Sequence, residues 1–166
     1  LCGIVYAEER DFKSTWDEYK KGNYDTVLQI TNKWIKEANA EVDPRIFYLY
    51  IATENDWKKM RSAVSRFQNS KMKSSPIFWN AIYLYLERAL VLGDSEQLVQ
   101  YGKLFFSEAS SHPKATEAMF LYAYGLSDLS NQTEAIKILD EIEKRNPSNR
   151  LANAILELRE EIKAKK

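Results

Sequence analysis

The 166-residue chain contains one cysteine and one histidine. A lone cysteine excludes a disulfide within the chain, and the pair leaves almost no material for a zinc site or a histidine-based catalytic triad. No apolar run approaches the roughly 18 residues needed to span a bilayer. Neither sign of charge is in excess: Lys plus Arg and Asp plus Glu both number 24. No overall field therefore favours nucleic acid or an anionic membrane, and polyanion binding would need a local patch. The sequence also lacks a Gly-x-Ser-x-Gly elbow, a glycine-rich phosphate loop, a His-Glu-x-x-His helix and a calcium loop. Carboxylate pairs such as Glu8 and Glu9, or Glu160 and Glu161, are adjacent in sequence and point in different directions on a helix. His112, in Ser110-Ser111-His112-Pro113, reads as a solvated loop residue. The expectation is a protein that is not an enzyme, with no catalytic residue, no metal site and no cofactor.

What is present is a globular composition of about one domain's length, 45% hydrophobic and 13% aromatic. Residues 1–7, Leu-Cys-Gly-Ile-Val-Tyr-Ala, are apolar and give way abruptly to Glu8-Glu9-Arg10-Asp11. They read as the tail of an export signal or as an apolar segment docked on the core, with residues 8–166 forming one domain. The first reading puts the protein in the periplasm or near a membrane, tethered there only if Cys2 is lipidated or an anchor precedes it; the second leaves it cytoplasmic.

The four prolines fall at Pro44, Pro76, Pro113 and Pro147, at intervals of 32, 37 and 34 residues, each where a helix would begin. Between them lie Lys21-Gly22-Asn23, Glu54-Asn55-Asp56, Leu92-Gly93-Asp94 and Leu129-Ser130-Asn131, which split each unit in two. From Gly22 to Asn55 to Gly93 to Ser130 these breaks lie 33, 38 and 37 residues apart, and residues 69–75 and 110–112 read as loops that lengthen the second and third of those intervals. Within the units, Ile82, Tyr85, Leu86 and Ala89 recur at i, i+3, i+4 and i+7, as do Met119, Tyr122, Ala123 and Leu126. Met60, Val64 and Phe67, then Leu98, Phe105 and Phe106, then Ala135, Leu139 and Ile142 stripe the second helices. No segment alternates as a strand would. The pattern predicts an all-α protein of four helical hairpins, followed by a capping helix with Leu151, Ile155, Leu158 and Ile162 on one face.

With that period, the chain resembles the tetratricopeptide repeat family. Residues 116–149 match best, through Met119, Tyr122, Ala123, Leu126, Ala135, Leu139 and Pro147. Residues 19–27 match the family's inter-helix turn, while the middle units carry Tyr48, Met60, Leu86 and Leu98 where the family has small residues. The resemblance implies a right-handed superhelix acting as a protein-interaction scaffold, with the first helix of each hairpin lining a concave groove. Its groove positions here are Phe12, Trp16 and Tyr19, then Arg45 and Leu49, then Tyr83 and Glu87, then Phe120, Tyr124 and Asp128. That aromatic lining suits a peptide or a partner helix. It does not reproduce the Lys and Asn clamp of the family's chaperone-tail binders. Two other readings stand beside it. One is a carrier of an apolar small molecule or lipid. The other is a nucleic-acid-associated repeat using Lys58, Lys59, Arg61, Arg66, Lys71 and Lys73, although no nucleic-acid motif accompanies them.

Overall fold

The computed structural model describes residues 12–38 and 42–164. Among these the chain is all-helical, without a strand. Helix α1 covers residues 12–20. It is followed by α2 (Tyr24–Glu37), α3 (Pro44–Thr53), α4 (Trp57–Phe67), α5 (Pro76–Leu92), α6 (Ser95–Glu108), α7 (Ala115–Asp128), α8 (Gln132–Glu143) and α9 (Asn149–Ala164). Residues 1–7 lie outside the described residues. Proline opens α3 and α5, where its missing N–H has no helical partner to lose. Asp43, Asp56 and Asp94 accept backbone N–H groups at the starts of α3, α4 and α6, each such cap contributing about 1 kcal/mol.

Three of the helix ends are built alike. Gly22, Gly93 and Ser130 adopt φ of 81°, 68° and 62°. The N–H of each reaches a carbonyl three residues back, and the next N–H reaches one five residues back: Asn23 to Glu18, Asp94 to Ala89 and Asn131 to Leu126, at 2.8–3.0 Å. This left-handed cap satisfies carbonyls that the helix end would orphan and turns the chain for the next helix. The stretch expected to be a loop at 69–75 instead contains a 3-10 turn, Lys71–Ser74. Met72 is buried beneath it, and the Trp79 indole N–H donates to the Lys73 carbonyl at 2.8 Å.

The chain divides into two compact units, one through Leu84 and one from Tyr85, with the division inside α5. In the first, Phe47 of α3 meets Phe67 of α4 edge-on and stacks on Phe78 of α5, both at 5.6 Å between centroids. Arg66 of α4 donates to the Ile35 carbonyl of α2. In the second, α7 packs between α6 and α8. Gly102 and Gly125 mark the α6–α7 approach: a Cβ at Gly102 would sit 2.6 Å from the Tyr122 Cβ, and one at Gly125 would sit 2.7 Å from the Leu98 Cβ. The Tyr85 hydroxyl donates to Gln97 Oε1 at 2.6 Å inside this unit, with Tyr101 edge-on to the Tyr85 ring. Ala123 and Ala135 are fully buried in the core of the last hairpin, which Ile155, Leu158 and Ile162 of α9 close. At roughly 1.5–3 kcal/mol for each fully buried aliphatic side chain, those three residues hold α9 in place. Arg159 adds charged hydrogen bonds to Asp140 and Glu143 of α8.

Two glycine-to-alanine substitutions should separate backbone conformation from packing. Gly93→Ala places a Cβ in open space but at positive φ, a strain of roughly 1–2 kcal/mol. Gly102→Ala gains roughly 1 kcal/mol of helix propensity, yet drives its Cβ into the α7 backbone, an overpacking cost of roughly 1–3 kcal/mol. Both variants should unfold at lower urea concentration than the parent. A more stable Gly102→Ala would contradict the close α6–α7 approach.

Candidate functional site

The α1 sequence places Phe12, Trp16 and Tyr19 at i, i+4 and i+7, one helical stripe. The rings follow that spacing as a ladder. Phe12 stacks on Trp16 at 6.2 Å, Trp16 on Tyr19 at 5.4 Å, and Tyr19 leans on Tyr24 at the start of α2, also at 5.4 Å. Thr15, on the neighbouring face of α1, is fully buried, whereas Trp16 keeps 36% of its surface exposed. The ladder therefore lies at the edge of the core.

From α3, Arg45 reaches this edge. Asp43 caps the helix through the Arg45 N–H at 2.8 Å, and its carboxylate also accepts from Arg45 Nε and Nη2 at 2.7–3.1 Å. Thus fixed, the guanidinium lies 4.2 Å from the centre of the Phe12 ring, a cation–π contact of roughly 0.5–1 kcal/mol at such a half-exposed site. Tyr48 follows one turn later. Ile77 and Asn80, in the first turns of α5, complete an open notch of about 260 Å³ with Phe12, Trp16 and Arg45. A second, larger hollow of about 520 Å³ shares Arg45 and Ile77 with the notch and includes Asp43, Lys71, Ser74 and Ser75.

Of the expected groove residues, the structure brings Phe12, Trp16 and Arg45 together, with Tyr19 extending the ladder. Leu49 is a correction: it is completely buried and belongs to the core. Helix α3 is apolar almost all round, with Ile46, Phe47, Leu49, Tyr50 and Ile51 all buried, so the face carrying Arg45 continues through Tyr48. Tyr83 is half-buried farther along α5 than Asn80. In the second unit, Glu87 is exposed and Tyr124 is 36% exposed. Phe120 packs partly against the core of the last hairpin, and Asp128 accepts a hydrogen bond from Ser95.

Tyr48, Ile77 and Asn80 are the residues that sequence reasoning missed. Asn80, Tyr83 and Glu87 share one stripe of α5 at i, i+3 and i+7. Extending that stripe back toward Pro76 is the signal that reaches the notch.

His112 is also not simply solvated. It is half-buried, its Nδ1 accepts the Lys114 N–H at 3.1 Å, and its ring meets Phe105 edge-on at 5.5 Å. It serves the turn into α7, which has no side-chain cap at Lys114. Within the basic segment, Arg66 is engaged with the Ile35 carbonyl and the Phe67 ring, and Lys59 pairs with Asp56 at 3.7 Å. Among the described residues, no group of three or more His, Cys, Asp or Glu is arranged to hold a metal ion. No described helix is long and apolar enough to cross a membrane.

Comparison of the chain with protein-family models, with curated proteins and with solved structures gives no match.

The placement of Trp16 and Leu49 can be checked by one pair of variants. Leu49→Ala removes a fully buried side chain and should cost roughly 2–5 kcal/mol. Trp16→Ala opens an edge site and should leave the helical circular-dichroism signal intact, with a loss well below that of Leu49→Ala. Equal losses in urea unfolding would put Trp16 in the core and close the notch.

Proposed function

We propose that the chain is a tetratricopeptide-like array of helical hairpins that binds another protein without catalysis, by seating one bulky apolar side chain of a peptide in the Phe12–Trp16–Arg45–Tyr48–Ile77–Asn80 notch. The observation that carries this reading is the notch itself: an open, largely apolar recess at the edge of the core, walled by aromatics that the ladder and the Asp43–Arg45 pair hold in place. Rigid Trp and Tyr surfaces beside an Arg are the composition of binding hot spots. Helical hairpins with short turns and an apolar lid on the last pair support the repeat reading.

Size favours a peptide side chain over an enclosed small molecule. At about 260 Å³, the notch falls below the roughly 300–1,000 Å³ of pockets that bury a drug-sized ligand. The adjoining hollow, at about 520 Å³, is within that range, but Asp43, Arg45, Lys71, Ser74 and Ser75 make much of its lining polar, which suits an apolar cargo poorly. Within the basic segment that a nucleic-acid surface would use, Arg66 is drawn to the Ile35 carbonyl and Lys59 to Asp56.

A random peptide library displayed on phage and panned against the purified protein tests the proposal. Enriched peptides should share one bulky apolar residue and should lose roughly 2 kcal/mol or more of binding to a Trp16→Ala, Ile77→Asp double variant. Enriched peptides that bind this variant as well as the parent would contradict the reading, as would a panning that enriches nothing.

A further inference from the structure

The two hollows of the first unit share Arg45 and Ile77, so a chain anchored in the notch has the larger hollow beside it. Their characters differ. The notch is mostly aromatic and aliphatic, with Arg45 and Asn80 at its rim, whereas the larger hollow mixes Val42, Pro44 and Met72 with Asp43, Lys71, Ser74 and Ser75. Asp43 and Arg45 neutralise each other through the fork of hydrogen bonds between them. Lys71 is exposed on the 3-10 turn. Among the described lining residues its ammonium is then the net charge of the hollow, and the segment from Trp57 to Ser75 that carries it contains no acid.

Resting on the peptide-binding reading, we infer that the partner is a peptide in which the bulky apolar anchor has an acidic side chain close by, the anchor filling the notch and the carboxylate facing Lys71. Complementary charge selects between peptides that share an anchor: a carboxylate beside Lys71 is attracted, and a second ammonium is repelled. The anchor supplies the buried contact, and the charge supplies the choice of partner. Because Lys71 is solvent-exposed, the discrimination is screened, being strongest at low ionic strength and fading as the Debye length falls to about 3 Å near 1 M salt.

The experiment uses the whole chain and four fluorescein-labelled synthetic peptides of equal length. One carries a central Trp flanked by Asp and Glu, one the same Trp flanked by Lys, and one the same Trp flanked by Ser and Gln. The fourth has the acidic flanks with Ala in place of Trp. Binding is followed by fluorescence anisotropy at low and at 1 M salt for the parent, Lys71→Glu and Trp16→Ala, with circular dichroism confirming that each variant is folded. The acid-flanked Trp peptide should bind about tenfold tighter than the Lys-flanked one. Lys71→Glu should erase or invert that ratio, high salt should collapse it, and Trp16→Ala should weaken every Trp peptide.

Equal binding of acid- and Lys-flanked peptides, with dependence on Trp16 retained, overturns this inference and leaves the peptide-binding reading standing. Binding of the Ala peptide as well as the Trp peptide, or loss of dependence on Trp16, overturns both, as does the absence of binding by any of the four. Phosphatidylglycerol vesicles form the last arm: Lys71-dependent, Trp16-independent binding to them, without binding of the acidic Trp peptide, would make the hollow a lipid-facing surface and overturn the inference.

Discussion

The structure depends on reversing a helix within two or three residues without leaving its last carbonyls unsatisfied. At Gly22, Gly93 and Ser130 the solution is one residue in the left-handed region and a pair of hydrogen bonds back into the finished helix. For Ser130 this is a backbone state that residues other than Gly, Asn and Asp rarely take, so the turn carries a small strain in exchange for the geometry. Each reversal brings a second apolar stripe against the first, and burial of those stripes is what makes the helices stable. Alone, at 10–17 residues for the fully described helices, most would be marginal in water.

The second hairpin does the same job with carboxylates. Glu54 ends α3, and its buried side chain accepts the Asp56 N–H at 2.8 Å; Asp56 then caps α4 through Lys58 and Lys59. The nearby Tyr50 phenol is pushed well above its ordinary value, first by burial and then by the Glu54 carboxylate. Asp43 performs a related double task, capping α3 and clamping Arg45 over Phe12. The notch is thus a by-product of how α3 is started: Arg45 and Tyr48 leave the core on one face while Ile46, Phe47, Leu49 and Tyr50 enter it.

Helix boundaries were legible because prolines and turn-forming residues mark them, and the stripe of α8 was legible because Ala135, Ile138, Leu139 and Ile142 recur with a helical period among charged residues. Leu49 was misread for the opposite reason. Helix α3 has so few polar residues that periodicity does not choose a face, and the family's small residues, which would set the register, are absent from that unit, where Tyr48 and Met60 stand instead. The close α6–α7 approach is not legible in the sequence, because Gly102 and Gly125 show their role only when Tyr122 and Leu98 lie against them. Asn80 continues the stripe of Tyr83 and Glu87 on α5, but nothing in that stripe says which helix it will face. Only the fold sets Ile77 and Asn80 beside Phe12 and Trp16, from the far end of the first unit's sequence.

The central claim is that this notch is open and takes a flat or bulky apolar group. Titrating free indole into protein carrying ¹³C-labelled isoleucine methyls, followed by NMR, addresses that claim without assuming any partner. Ile77, which lines the notch, should shift saturably, while the buried Ile46 and Ile82 should move little, and Trp16→Ala should abolish the response. An unmoved Ile77, or shifts spread over the core isoleucines, would contradict the account.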